Sequence, residues 1–398
     1  MQLGAHDHAR IATASAVVVS PGIPPDAPVL RTLRERGRRW ISEPEFAYRF
    51  FSSPLIAVTG TNGKTTTAAL TAHLLREAGL RVGLGGNIGG GFGPPASELA
   101  LMDPPPDWLV LEMSSFQLAD VETFAPDVGV VTNLAPDHLD RYPSVAAYHG
   151  DKARLFDNAT DDSRWVLNQD DRPVRDLAGG APGHRYGFGV ADGFEGGHLR
   201  GNELILRMDG EESSLGSTGD LRLMGRHNAM NALAASVAAH LAGAPAADIR
   251  RGLAGFPPLP HRLEPVAENQ GVLWVNDSKA TNVAAARSAV ASLDRPVVLL
   301  AGGWDKGESF DDLLPDHGPP VRAVVAYGAA GERIAAALEG RVRVVEVEGS
   351  FEDAVSAAAG EAHRGDALLL APACSSFDMF GNYEERGAAF TALAEGAA

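Results

Sequence analysis

The chain has 398 residues, 45% of them hydrophobic, with a formal net charge of −17, a length that predicts two or three domains. Scattered basic residues on so acidic a chain exclude a nucleic-acid surface, which needs a concentrated basic face, while a small anionic substrate needs only a local cluster of donors. A single cysteine, Cys374, excludes an intrachain disulfide; with no apolar run long enough for a bilayer and no secretory layout at the N-terminus, a soluble cytoplasmic protein is expected.

Short β-branched runs alternate with alanine- and leucine-rich helical stretches, the pattern of an α/β protein with mainly parallel sheets. In chain order the expected strands are Val17–Val19, Ile56–Thr59, Leu109–Leu111, Val128–Thr132, Val272–Val275, Val297–Leu300, Val324–Tyr327 and Ala367–Leu370. Lys64–Ala78 reads as a helix closed by Gly79. Ser144 is placed to cap another, running to about Phe156. The glycine-rich segment Val190–Leu223 predicts a small β excursion. Phe256-Pro-Pro-Leu-Pro260 is the strongest boundary signal, with a weaker one near Ile41–Glu45.

Of 34 basic residues only four are lysine: Lys64, Lys152, Lys279 and Lys306. Ordinary positions accept arginine here, so the surviving lysines point to work that needs a compact charge or a modifiable amine. All four fall inside the motifs that follow.

Thr59-Gly-Thr-Asn-Gly-Lys-Thr-Thr66 follows an expected strand and opens an expected helix. Its glycines let backbone N–H groups close around phosphates, with the helix N-terminus adding a favourable dipole. Lys64 can neutralise the outer phosphates and the Thr65 hydroxyl can hold magnesium. Val58 stands where the general phosphate-loop pattern has a glycine, so this is a shortened variant. Further along, Glu112, His138 in Asp137-His-Leu-Asp140, and Lys152 sit at or beyond strand ends, where open α/β sheets bind ligands. Taken singly, each has a plain alternative: a helix cap, a loop histidine and a solvated charge. Glu112 with Thr65 would make an oxygen-rich magnesium site.

His227-Asn-Ala-Met-Asn231 carries two amides on one helix face, able to read an adenine edge or to cap the helix. His261-Arg262 follows the proline boundary, where an arginine could reach a nucleotide phosphate. Asn276-Asp-Ser-Lys-Ala-Thr-Asn282, Gly302-Gly-Trp-Asp-Lys-Gly307 and Pro372-Ala-Cys-Ser-Ser-Phe377 each follow a strand, and as ordinary polar loops or together could make a second pocket.

These motifs, in this order, resemble the Mur ligase family over nearly the whole chain. Glu112-Met-Ser-Ser-Phe-Gln-Leu118, Asn276–Asn282 and Pro372–Asp378 are similar to its D-glutamate-adding branch. The resemblance implies a remnant of a UDP-binding domain (1–43), a central P-loop ATPase (44–258) and a C-terminal Rossmann-like domain (259–398). It implies ATP and two Mg2+ ions, one on Thr65 and Glu112, the other on His138 and a carbamylated Lys152. ATP would meet Gly60, Thr61, Asn62, Gly63, Lys64, Thr65, Thr66, Asn228, Asn231, Arg262 and Asp277. D-Glutamate would meet Lys279, Thr281, Lys306, Ser376, Phe377 and Tyr383. UDP-N-acetylmuramoyl-L-alanine would meet Ser20, Pro21, Gly22, Ile23, Asn87 and Ser114. The implied reaction is amide formation through an acyl phosphate, by a monomer without nucleic-acid or membrane partners.

Family members carry about half of a nucleotide-binding domain ahead of the region where this chain begins. A start placed downstream of the natural one, or a truncation, would leave an exposed sheet edge near Val17–Val19. The rival readings are a folylpolyglutamate synthetase, expected to lack the Pro372–Asp378 run, and a nucleotide-binding protein that has lost catalysis.

Overall fold

The computed structural model describes residues 7–24, 26–88, 93–139 and 141–396. Two compact units are present: Met1–Pro136 with Arg141–Asp220 and Met230–Ala254, and Asp137–Asp140 with Leu221–Ala229 and Gly255–Ala398.

In the first unit, β1 (Val18–Val19) and β2 (Ile41–Ser42) form a parallel pair. The helix Pro28–Glu35 between them starts on proline, whose missing N–H is harmless in a first turn. It turns Val29, Leu30 and Leu33 onto one face, packed with Ala12 and Val19. Val18 points to the opposite face from Val19 and is 41% exposed. Buried Glu45 fastens the next helix, Glu43–Tyr48, to the rest of the unit. It accepts the N–H groups of Glu122, Thr123 and Phe124 at 2.9–3.0 Å.

The main sheet contains β3 (Leu55–Thr59), β4 (Val82–Gly86), β5 (Trp108–Glu112), β6 (Val128–Val131), β7 (Arg164–Asn168), β8 (His184–Gly189), β9 (Gly196–Arg200), β10 (Glu203–Met208) and β11 (Glu211–Ser217). Its order is β11-β10-β9-β8-β7-β6-β3-β5-β4. Every pair from β4 across to β9 is parallel, whereas β10 is antiparallel to both β9 and β11. The β excursion expected over Val190–Leu223 is therefore an extension of the main sheet. Ser144 caps the helix Val145–Ala153 by accepting from the Ala147 N–H at 3.1 Å, and a 3-10 turn continues to Phe156.

The second unit holds β12 (Glu264–Asn269), β13 (Val272–Asn276), β14 (Val297–Gly302), β15 (Val321–Tyr327), β16 (Arg343–Val347) and β17 (Ala367–Ala373), in the order β12-β13-β17-β14-β15-β16. All pairs are parallel except β12 with β13. Alternation along the strands sends Val297, Leu299, Leu369 and Ala371 to one core, and Val298, Leu300, Leu368 and Leu370 to the other. Both faces are covered, which is why these strands read as unbroken apolar runs. Among the described residues no helix is long and apolar enough to cross a membrane.

Candidate functional site

The first unit presents the phosphate loop between β3 and the helix Lys64–Glu77. Gly60 and Gly63 have φ of +138° and +81°, and a Cβ on them would run into Thr132 Oγ1 and Asn231 Oδ1 respectively. Both positions therefore require glycine. The residues just after β6 grip the loop. Thr61 N–H donates to the Asn133 carbonyl (2.8 Å) and Asn62 N–H to Asn133 Oδ1 (2.9 Å). Thr132 Oγ1 (2.6 Å) and Asn133 Nδ2 (2.8 Å) both donate to the Asn62 carbonyl. Neither residue carries a signal in the sequence, where Thr132 is the last residue of the expected strand Val128–Thr132 and Asn133 lies just beyond it.

Around this loop the expected chemistry gathers in part. Thr65 Oγ1 donates to Glu112 Oε2 at 2.7 Å, with both side chains buried. Asn87 Nδ2 donates to Glu112 Oε1 at 3.4 Å, so Asn87 stands beside the same carboxylate. Lys64 Nζ donates to the Thr61 carbonyl (2.7 Å), and Thr67 Oγ1 to Asn231 Oδ1 (3.4 Å). Thr66 is buried in the first helical turn. Lys152 is not a solvated charge: it is 1% exposed, its Nζ donates to the Gly60 carbonyl at 2.7 Å and lies 4.6 Å from the centre of the Tyr148 ring. Nor does Glu112 cap a helix. That task falls to Ser114, whose hydroxyl accepts from the Gln117 N–H (3.2 Å) in a reciprocal capping box.

Ser20, Pro21 and Ile23 line a cavity of about 180 Å³ together with Arg34, Trp40 and Phe116. Gly22 of the same loop has open space where a Cβ would be. Burial raises the carboxyl groups of Asp120 and Asp151 in the cavity wall above the usual range.

In the second unit, Asp277 is partly buried. Desolvation pushes it up to about 7, opposed by the Arg262 charge and by the Leu263 N–H, which donates to Oδ1 at 3.3 Å. His227, partly buried, is pushed down to about 4 by desolvation and by the Arg262 charge; its Nδ1 lies 2.9 Å from Ser292 Oγ. Asn228 donates through Nδ2 to the Met224 carbonyl at 2.8 Å. The other loops meet at the carboxyl edge of β13, β17 and β14. Trp304 and Ser375 exchange backbone hydrogen bonds (2.8 and 3.0 Å), and Ala373 N–H donates to the Ala280 carbonyl (2.9 Å). Lys279 Nζ lies 3.8 Å from the Tyr383 ring centre. Lys306 Nζ approaches Thr281 Oγ1 and Asp137 Oδ1, both at 3.5 Å. Ser376 is buried, whereas Phe377 is 70% exposed.

Asp137 is a centre that its sequence context does not mark. Its carboxylate accepts from Asn282 Nδ2 (3.1 Å) as well as approaching Lys306, and its Oδ1 accepts the His138 N–H (2.8 Å). Nearby Glu308 accepts the Val283 N–H (3.1 Å); burial pushes it up to about 7, opposed by that bond and by Lys306, with Asp137 adding to the rise. Among the non-glycine residues with positive φ are His138 (+56°), His261 (+61°), Leu263 (+42°) and Ala373 (+59°). Such backbone costs on the order of 1–3 kcal/mol a residue and collects where a loop must hold one shape.

The pair Thr65 and Glu112 suits Mg2+: a carboxylate and a hydroxyl beside a phosphate loop, with phosphates and waters left to complete an oxygen shell. Among the described residues no group of three or more His, Cys, Asp or Glu side chains is arranged to hold a metal.

Two family models match the chain, the Mur ligase middle domain over residues 58–239 and the Mur ligase, glutamate ligase domain over 261–374. The chain is 43% identical over 401 residues to the UDP-N-acetylmuramoylalanine–D-glutamate ligase of Salinibacter ruber, covering 99% of this chain and 87% of that protein. Among solved structures it is similar to the MurF ligase of Thermotoga maritima in complex with ADP, with a TM-score of 0.64 and 17% identity over 96% of this chain and 95% of that one. It is also similar to E. coli FolC in complex with DHPP and ADP, with a TM-score of 0.62 and 18% identity over 89% and 93%. At such identities the structural likeness speaks for the fold alone.

Proposed function

This chain belongs to the Mur ligase family, and from that premise we propose that it joins D-glutamate to UDP-N-acetylmuramoyl-L-alanine in a cytoplasmic, monomeric form. It is an ATP-dependent ligase of peptidoglycan precursor synthesis. The observation that supports the choice of amino acid is the meeting of three loops at one sheet edge, those that follow β13, β14 and β17 and carry Lys279, Thr281, Lys306 and Ser376.

The alanyl carboxylate attacks the γ-phosphate of ATP, ADP leaves, and the D-glutamate amine then displaces phosphate from the acyl phosphate to form the amide. The backbone N–H groups in the first turn of the helix Lys64–Glu77 and the Lys64 ammonium hold the phosphates, so that positioning and electrostatics supply most of the acceleration. Thr65 and Glu112 would hold one Mg2+; His138 and a carbamylated Lys152 would hold the second. When bound, these ions offset the repulsion between two anions that must meet. Asn228, Asn231, Arg262 and Asp277 are the further ATP contacts. Lys279 and Lys306 offer compact charges to the D-glutamate carboxylates, while Thr281, Ser376, Phe377 and Tyr383 complete its contacts. Ser20–Ile23, Asn87 and Ser114 face the nucleotide-sugar substrate in this reading.

The test is release of ADP and phosphate with Mg-ATP, UDP-N-acetylmuramoyl-L-alanine and D-glutamate, each omitted in turn. Release requiring all three is expected. Release that persists without the muramoyl substrate, or that follows a folate with L-glutamate instead, would overturn the assignment.

A further inference from the structure

One buried side chain joins the glutamate-side loops from beneath. Arg386, in the helix Tyr383–Gly396, is 1% exposed. Its Nε donates to Ser278 Oγ (3.0 Å) and its Nη2 to the Ser278 carbonyl (2.9 Å), in the loop after β13. Nη2 also donates to the Cys374 carbonyl (3.2 Å) and Nη1 to the Ser375 carbonyl (3.3 Å), in the loop after β17. The loop after β14 rests on the same group: a Cβ on Gly303 would stand 3.1 Å from Nη1. These bonds run to carbonyls and a hydroxyl, with no carboxylate among them.

A planar guanidinium fixes the directions of its N–H groups, so acceptors on two loops are held at one spacing. Without it the buried carbonyls of Ser278 and Cys374 would lose a charged donor, a loss that burial makes costly. Ser278 immediately precedes Lys279, and Ser375 immediately precedes Ser376. Asp277, on the other side of Ser278, is fixed without Arg386: its N–H donates to the Leu370 carbonyl (2.8 Å) and its carboxylate accepts from Leu263.

We propose that Arg386 is a positioning residue for D-glutamate, its guanidinium setting the distance between the Ser278–Lys279 and Ser375–Ser376 peptides. The inference rests on the reading of these loops as the D-glutamate site. A lysine at 386 would keep the charge but would reach one loop at a time. The consequence belongs to the amino-acid substrate more than to ATP.

The experiment compares the wild-type chain with Arg386→Lys and Arg386→Ala, varying D-glutamate and ATP separately. In Arg386→Lys the KM for D-glutamate should rise by about tenfold or more, the size of losing a charge-assisted bond, with the KM for ATP within about twofold. In Arg386→Ala, added methylguanidinium should lower the KM for D-glutamate again. Amide hydrogen exchange without ligands should quicken at Ser278–Ala280 and Ser375–Phe377, leaving β14 as in the wild type. An unchanged KM for D-glutamate in Arg386→Lys, or a fall in kcat alone, would overturn the proposal. A wild-type chain that never consumes D-glutamate overturns the reading of the loops instead, and the exchange measurement still reports whether Arg386 binds them together.

Discussion

Replacing Gly60 by alanine would strike the phosphate loop at its tightest point. The residue sits at φ +138°, where a side chain costs about 1–3 kcal/mol in backbone strain. The added Cβ would land on Thr132 Oγ1 and lie 3.1 Å from both N and O of Asn133. The Thr132 hydroxyl would have to give up its 2.6 Å bond to the Asn62 carbonyl, worth about 0.5–1.5 kcal/mol. Together these amount to about 2–4 kcal/mol. For a unit of this size each kcal/mol lowers Tm by about 2–4 °C, so calorimetry should show a fall of about 5–15 °C. ATP affinity, titrated calorimetrically, should weaken by about tenfold or more, because the N–H groups that meet phosphate move with the loop. Gly360→Ala is the control. Its Cβ would meet nothing within 4 Å, in the helix Phe351–Glu361, and Tm should hold or rise slightly, since alanine is the better helix former. Wild-type Tm and ATP affinity in Gly60→Ala would refute the cradle formed by Thr132 and Asn133.

Glu112→Gln keeps the shape and an acceptor for Thr65 but removes the charge; turnover should fall by about 10²–10³-fold with Tm nearly unchanged, and normal Mg2+ dependence of turnover would count against the metal assignment. Lys152→Arg should be equally inactive, and Lys152→Ala should regain turnover with added short-chain carboxylic acids; near-normal activity in Lys152→Arg would rule out a carbamate, because arginine cannot carry one. Burial raises Asp277 from 3.8 to about 7, so the folded chain holds that proton more tightly than the unfolded chain, and this group makes stability fall as pH rises from about 4 to about 7. Asp277→Asn should therefore gain on the wild type in urea unfolding across that window, whereas parallel curves would mean an ordinary carboxylate. His227, lowered from 6.5 to about 4 by burial and Arg262, acts in the opposite sense, adding stability as pH rises through that interval.

The phosphate loop was legible because every requirement on it is local. A strand, two glycines, a lysine, a threonine and a helix follow one another within a few residues, and the positive φ of Gly60 and Gly63 is what their lack of a Cβ permits. The scarcity of lysine was equally informative. Lys64 and Lys152 donate to carbonyls of the phosphate loop, Lys279 lies over Tyr383, and Lys306 approaches Thr281 and Asp137. The helix cap at Ser144 and the strands buried on both faces also follow from short-range pattern.

Other features depended on which distant segments pack together. Spacing does not reveal that Thr132 and Asn133 hold Asn62 from 70 residues away, that Asp137 meets Asn282 and Lys306, or that Arg386 ties Ser278 to Cys374. Nor could the glycine-rich segment after Val190 be known to extend the main sheet, since strand pairing is settled by neighbours outside the strand. The sequence by itself determined the most apolar strands, such as β3, β14 and β17, and the glycine-bearing loop after β3, because backbone preference and hydrophobic period act over a few residues; the more polar strands β12 and β16 were not legible in it. The tertiary structure decided which polar groups share a site, because a buried donor takes whichever acceptor the packed chain brings within hydrogen-bond reach.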